Sequence, residues 1–117
     1  MQYLTFPKSF NNSKLFFSKN ELTKILSCYS LGVSKGRWKD YAINYHKNEV
    51  NFFIFKHTLA SPVCILTKSI KSNKSNKSKN LQYIYDLEIT NKNKNKFSQI
   101  DDLLASLKRK QLKVIIS

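Results

Sequence analysis

Hydrophobic positions first fall into a period at Phe17. Ser18-Lys19-Asn20-Glu21 matches a capping box, in which a serine hydroxyl accepts the third amide of the helix and a glutamate reaches back to the cap. Phe17 before the cap and Leu22 at the fourth helical position form the hydrophobic-staple pair. Leu22, Ile25, Leu26, Tyr29 and Val33 then recur on one face of a helix, and Gly36 supplies a left-handed stop, so the spacing predicts a helix over about 19–35. Four strand-like runs follow. Tyr41-Ala42-Ile43-Asn44-Tyr45 alternates and ends at the polar turn His46-Lys47-Asn48-Glu49. Residues 50–58 are apolar on both alternating sets, Val50/Phe52/Ile54 and Phe53/Phe55, a pattern expected of a strand covered on both sides. Pro62 opens a third run over 63–68, since a residue without an amide hydrogen is tolerated at a strand start. Over 81–90, Leu81, Tyr83, Tyr85, Leu87 and Ile89 share one face, Gln82, Asp86 and Glu88 take the other, and Ile84 alone breaks the alternation. Last, Ser98-Gln99-Ile100-Asp101 repeats the capping pattern ahead of an Ile100/Leu103/Leu104/Leu107 stripe. Asp101 and Asp102 in its first turn and Lys108, Arg109 and Lys110 in its last complement the helix dipole. Leu112 to Ser117 can end as a tail or a short extra strand.

This order predicts an α+β fold: an N-terminal helix, a four-stranded antiparallel sheet with short early links, and a C-terminal helix, both helices on one face. Residues 1–16 have no period and read as an arm or extension; residues 17–117 read as one α+β domain. The 117-residue length leaves no room for a second sizeable core. No apolar run approaches a bilayer span, and the first residues lack the pattern of a signal peptide, so a cytoplasmic location is expected.

Composition adds a strong charge and a reason to discount part of it. There are 21 Lys+Arg against 7 Asp+Glu, a formal net charge of +14, which ordinarily points to RNA, DNA or anionic lipid. Lysine, however, occurs 19 times and arginine twice, beside 12 asparagines and 10 isoleucines, a bias toward AT-rich codons. Seven lysines lie in two acid-free tracts, 71–79 and 91–96; without these the charge falls to +7. Such polar repeats bury nothing to offset ordering entropy, so mobile loops are expected at 70–80 and 91–97.

No catalytic or metal-binding constellation emerges. His46 and His57 lie in a polar turn and at a strand end, with no cysteine or acid at a zinc-ligand spacing. Asp101 and Asp102 are adjacent and therefore diverge on a helix. Ser61 lacks a nucleophile-elbow motif, and neither glycine belongs to a phosphate-cradling loop. Cys28 and Cys64 fall beside apolar stripes, where buried thiols are expected rather than a disulfide. A non-enzymatic protein without metal or cofactor is expected.

The most distinctive segment is Gly36-Arg37-Trp38-Lys39-Asp40-Tyr41-Ala42-Ile43, at the corner between the first helix and first strand. Trp38 there can be a corner plug closing the helix on the sheet, with Asp40 capping local amides or pairing with a cation. Alternatively, Arg37, Trp38 and Lys39 can form an anion- or base-binding surface. The run from Asn51 to Lys56 resembles the stacking strand of RNA-recognition sheets, although the element order and the glycines of that fold are missing. With helices on one side only, Phe53 or Phe55 can stand on an open face, a patch that would mean dimerisation, a protein partner or cover by the arm over 1–16. Two functions are therefore expected to compete. One is an accessory module binding RNA or another polyanion, with Arg37, Lys39, Lys56 and Lys68 on phosphates and Trp38, Phe53 or Phe55 stacking. The other is a protein-interaction or regulatory adaptor using an aromatic sheet face, with a homodimer as one form.

The segments from Phe17 to Leu22, Ile25-Leu26, Tyr29 and the Gly36-x-Trp38-Lys39-Asp40-Tyr41-Ala42-Ile43-Asn44-Tyr45 corner resemble a family of small basic alphaproteobacterial proteins of unknown function. That family's corner reads Gly-x-Trp-Arg-Asp-Tyr-Ala-Ile-Asp-Phe, so Lys39, Asn44 and Tyr45 are mild changes. Phe52, Phe55, Lys56, Pro62 and Lys68 fit its next two strands, and Leu103, Leu104 and Leu107 its last helix, over about residues 17–115. Its Arg-Arg after the second strand is Lys56-His57 here, and its arginine-rich link into the fourth strand stands where Lys71–Lys79 lies. The resemblance implies an intracellular bacterial protein with a shared basic link; it supplies no activity and no catalytic residues.

Overall fold

In the computed structural model the described residues are 14–58, 60–71 and 81–113. Helix α1 (Lys19–Ser34) begins as its sequence dictates: the Ser18 hydroxyl accepts the Glu21 amide at 3.0 Å, and the Glu21 carboxylate accepts the Ser18 amide at 2.8 Å. Gly36 ends the helix region with a φ of +72°, a conformation that a side chain would strain. The buried stripe is Leu22, Ile25, Cys28 and Gly32. It departs from the expected one at its end, where Val33 is 43% exposed. The helix rotates Gly32 inward because only a hydrogen fits beneath Trp38.

Strands β1 (Asp40–Tyr45), β2 (Glu49–Phe55), β3 (Cys64–Ile70), β4 (Tyr83–Ile89) and β5 (Asn95–Phe97) form one antiparallel sheet in sequential order. Sequential order is what short links between neighbouring strands produce. The sheet has five strands rather than the expected four. Part of the second lysine tract, read from its composition as a loop, supplies the additional one. Asn91 turns the chain with a φ of +64°, and Tyr85 pairs with Phe97, Asp86 with Lys96 and Leu87 with Asn95. Phe97 packs on the core, and that burial is what the Asn-Lys repeat alone could not have supplied. The expected loop at 70–80 falls mostly on residues outside the described set, as does the arm expected over 1–16, of which only residues 14–16 are described.

Alternation sorts the sheet residues into two faces. One carries Tyr41, Ile43, Val50, Phe52, Ile54, Cys64, Leu66, Tyr85, Leu87 and Ile89, joined in a single core with Leu22, Ile25 and Cys28 of α1. The second helix, α2 (Ile100–Leu107), adds Leu103, Leu104 and Leu107, and five residues of π-helix (Lys108–Leu112) bring Leu112 into the same core. Both helices therefore cover one face. The expected capping box before α2 does not form: Gln99 takes the cap position, and no side chain bonds there. Lys24 of α1 instead pairs with Asp101 across the helices at 2.9 Å, an exposed contact of little energetic weight.

No helix among the described residues is long and apolar enough to cross a membrane.

Candidate functional site

The seven residues singled out in the sequence separate into three places. Trp38 is the corner plug. It is 3% exposed, stacked on Tyr29 at 6.4 Å between ring centres, and continued by the Tyr29–Tyr41 and Tyr41–Phe52 ring contacts at 5.0 Å each. Its indole Nε1 is buried without a hydrogen-bond partner. Asp40 caps the Tyr41 amide at 2.8 Å. A ring held in this way has no face to offer a base.

Lys68 is also inside. It points from β3 into the helix-covered face at 5% exposure, where its ammonium donates to Glu21 Oε1 at 2.8 Å and to the Phe16 carbonyl at 3.0 Å. The Tyr83 ring lies 4.3 Å from the same nitrogen, and the Tyr85 hydroxyl donates to Glu21 Oε2. The glutamate read from the sequence as a helix cap is thus also the counter-ion of a buried lysine. Burial works to raise the Glu21 carboxyl. The bonds from Lys68, Tyr85 and the Ser18 amide, with the Lys68 charge, outweigh it and hold the group below its ordinary 4.5. Such a depressed carboxyl contributes stability in full above 4.5 and loses it as pH falls through the lowered value. Melting temperature followed from neutral pH into the acid range should therefore decline more steeply in the native chain than in Glu21→Gln. Equal slopes would show that this carboxylate is not linked to folding.

Arg37, Lys39 and Lys56 remain exposed and share one end of the sheet, where the Lys39 amide donates to the Phe55 carbonyl at 2.8 Å. Phe53 and Phe55 stand half-buried on the opposite sheet face from both helices, and neither joins the core. The described helices cover one side of the sheet; along β2 the other side is buried at Asn51 and half-buried at Phe53 and Phe55, so most of this strand is shielded on both sides, as its sequence suggested.

The open face is the least expected part of the molecule. Its rows run Ala42–Phe53–Ile65–Glu88 and Asn44–Asn51–Thr67–Asp86–Lys96, flanked by Asp40–Phe55 on one side and Glu49–Ser69–Ile84 on the other. Four of the chain's seven acids, Asp40, Glu49, Asp86 and Glu88, project there, against one lysine among the described strand residues, Lys96. A chain of net charge +14 thus presents an acidic and apolar surface on its sheet. Asn51 donates to Thr67 Oγ1 at 2.8 Å and to Glu49 Oε2 at 3.2 Å, which orders the middle row. Sequence reasoning placed Asp86 and Glu88 on a polar face but did not add the parity of Asp40 and Glu49, which gathers the acids.

Cys28 and Cys64 are free and buried, and burial raises their thiols to about 11 and about 12. Both stay protonated at neutral pH and act as small core residues. No group of three or more His, Cys, Asp or Glu among the described residues is placed to hold a metal ion.

These features define an α+β protein with one helix-covered sheet face and one acidic and aromatic face that no helix among the described residues covers. Residues 15–97 match the family described as a protein of unknown function (DUF2794), and the chain belongs to that family. No curated protein matches it. No solved structure matches it either.

Proposed function

We propose that this chain is a non-enzymatic interaction module that receives a protein partner on its open sheet face. The observation that carries this reading is the pairing of Phe53, Phe55, Ile65 and Ile84 with four acids on one surface. Apolar side chains outside the core, gathered on a single face, are the usual mark of a contact surface. The acids repel phosphates, so aromatic stacking of a nucleic acid on Phe53 or Phe55 would be opposed by the charge around it. Variants test this reading directly. Phe53→Ser/Ile65→Ser should keep the fold, since neither residue joins the core, yet lose a protein retained from nuclease-treated lysate of the source cell. Arg37→Gln/Lys39→Gln/Lys56→Gln should retain it. Retention that survives the first variant, or that disappears with nuclease, would contradict the reading.

A second reading has its own support. Arg37, Lys39 and Lys56 converge at one sheet end, and that basic end can hold a polyanion such as RNA without Trp38 or Lys68. It predicts retention on heparin that falls steeply with salt, as counterion release requires, and that the triple glutamine variant weakens. Unchanged elution of that variant would remove it.

A further inference from the structure

The open face contains one buried carboxylate oxygen that has an ion-pair neighbour but no hydrogen bond. Asp86, in the middle of β4, is 6% exposed, and its Oδ1 has no hydrogen-bond partner. A buried carboxylate oxygen without a donor is costly, and each such group in a native fold calls for an explanation. Lys96 does not supply the missing bond. Its ammonium is 3.8 Å from Oδ1, beyond hydrogen-bond reach, and the side chain is 71% exposed. The neighbouring Thr67 hydroxyl, which accepts the Asn51 amide, makes no hydrogen bond to Oδ1 either. Around the carboxylate the register sets apolar groups on both sides: Ile65 in one adjacent row and Ile84 in the other.

Resting on the reading of this face as a protein-binding surface, we propose that Asp86 is the anchor for an arginine in an extended partner segment, with apolar residues two positions to either side. The chemistry of the site selects that partner. An extended segment repeats its side chains every second residue, so an apolar–arginine–apolar pattern lies over Ile65, Asp86 and Ile84. A guanidinium is weakly hydrated, planar and rich in donors, which suits a carboxylate already withdrawn from water. Glu88 and Glu49, on the same face, add a field that favours a cation and disfavours a phosphate. A nucleic acid offers no such cation.

The test uses the full chain, isotope-labelled, titrated with the peptide Ac-Phe-Ser-Arg-Ser-Phe-NH2 and with versions carrying lysine, glutamine or glutamate at the centre. The arginine peptide is expected to move the amide signals of Thr67, Asp86 and Leu87, and to bind at least about tenfold more tightly than the glutamine peptide, the ratio expected for a hydrogen-bonded charge pair. Asp86→Asn should abolish that ratio while folding as well as the native chain, because it removes a buried charge held only by one long ion pair to an exposed lysine. Glu88→Gln should leave most of the ratio intact, and Lys96→Gln should increase it by removing the competing ammonium. Equal binding of the arginine and glutamine peptides on these amides overturns the anchor and leaves the open face as a contact surface. Absence of binding by the arginine peptide overturns the anchor. Concentration-dependent shifts of the same amides without peptide would identify a second copy of the chain as the occupant, and would also overturn it.

Discussion

Replacing Gly32 by alanine should destabilise the protein by about 3 kcal/mol or more, at the upper end of what overpacking costs. The opposite sign follows if helix propensity decides, because alanine in a helix interior is favoured over glycine by about 1 kcal/mol. Sterics decide here. A Cβ on Gly32 would stand 2.1 Å from Trp38 Cε3 and 2.6 Å from Cδ2, and the ring cannot withdraw from its place against Tyr29. The backbone cannot move away either, since the Gly32 carbonyl accepts the Arg37 amide at 2.8 Å. Chemical denaturation followed by far-ultraviolet circular dichroism should register the loss. Adding Trp38→Leu should recover part of it, because the smaller side chain leaves room for the new methyl group. A Gly32→Ala protein as stable as the native chain would mean that the close approach of α1 and Trp38 is not tight.

The second large effect concerns the buried ion pair. Lys68→Met should cost about 3–5 kcal/mol, the usual penalty for removing one partner and leaving the other charge uncompensated. The side chains of Lys68 and Glu21 are 7% and 13% exposed, so water can repair little of the loss. Combining Lys68→Met with Glu21→Gln should cost clearly less than the separate losses added together, since the neutral amide no longer needs a counter-ion. The pH dependence should weaken in the single variant. Two of the influences that lower the Glu21 carboxyl, the bond from Lys68 and its charge, are lost with the lysine, while burial and the bonds from Tyr85 and Ser18 remain; the carboxyl is then less depressed, so acidification should narrow the gap between Lys68→Met and the native chain. A gap that stays constant with pH would assign the loss to packing of the lysine methylenes instead.

Much of the fold was legible in the sequence because its signals are local. The capping box at Ser18, the left-handed Gly36 and the alternation of β4 each depend on a few adjacent residues, and each stands where the spacing put it, except that Leu81 lies ahead of β4 and is 61% exposed. Strand β5 was not legible. Its Asn-Lys repeat has the composition of a loop, and only the partner strand and the burial of Phe97 make it a strand. The candidate site followed the same division. Trp38 as a plug was one of the two readings its corner allowed, whereas the interior position of Lys68 depends on the pairing of Val50 with Lys68 and of Lys68 with Tyr85. Charge counted along the chain pointed toward polyanions, while charge counted by sheet face separates a basic end from an acidic open surface. Register, which the sequence carries only indirectly, makes that separation.

We propose that the open sheet face, and not the basic end, receives this protein's partner. A photo-crosslinking amino acid placed at Phe53 in one version and at Lys39 in another, each activated in living cells, separates the two surfaces. A discrete protein adduct is expected from position 53, one that resists nuclease and is lost on adding Asp86→Asn. Adducts formed only from position 39, and removed by nuclease, would contradict it.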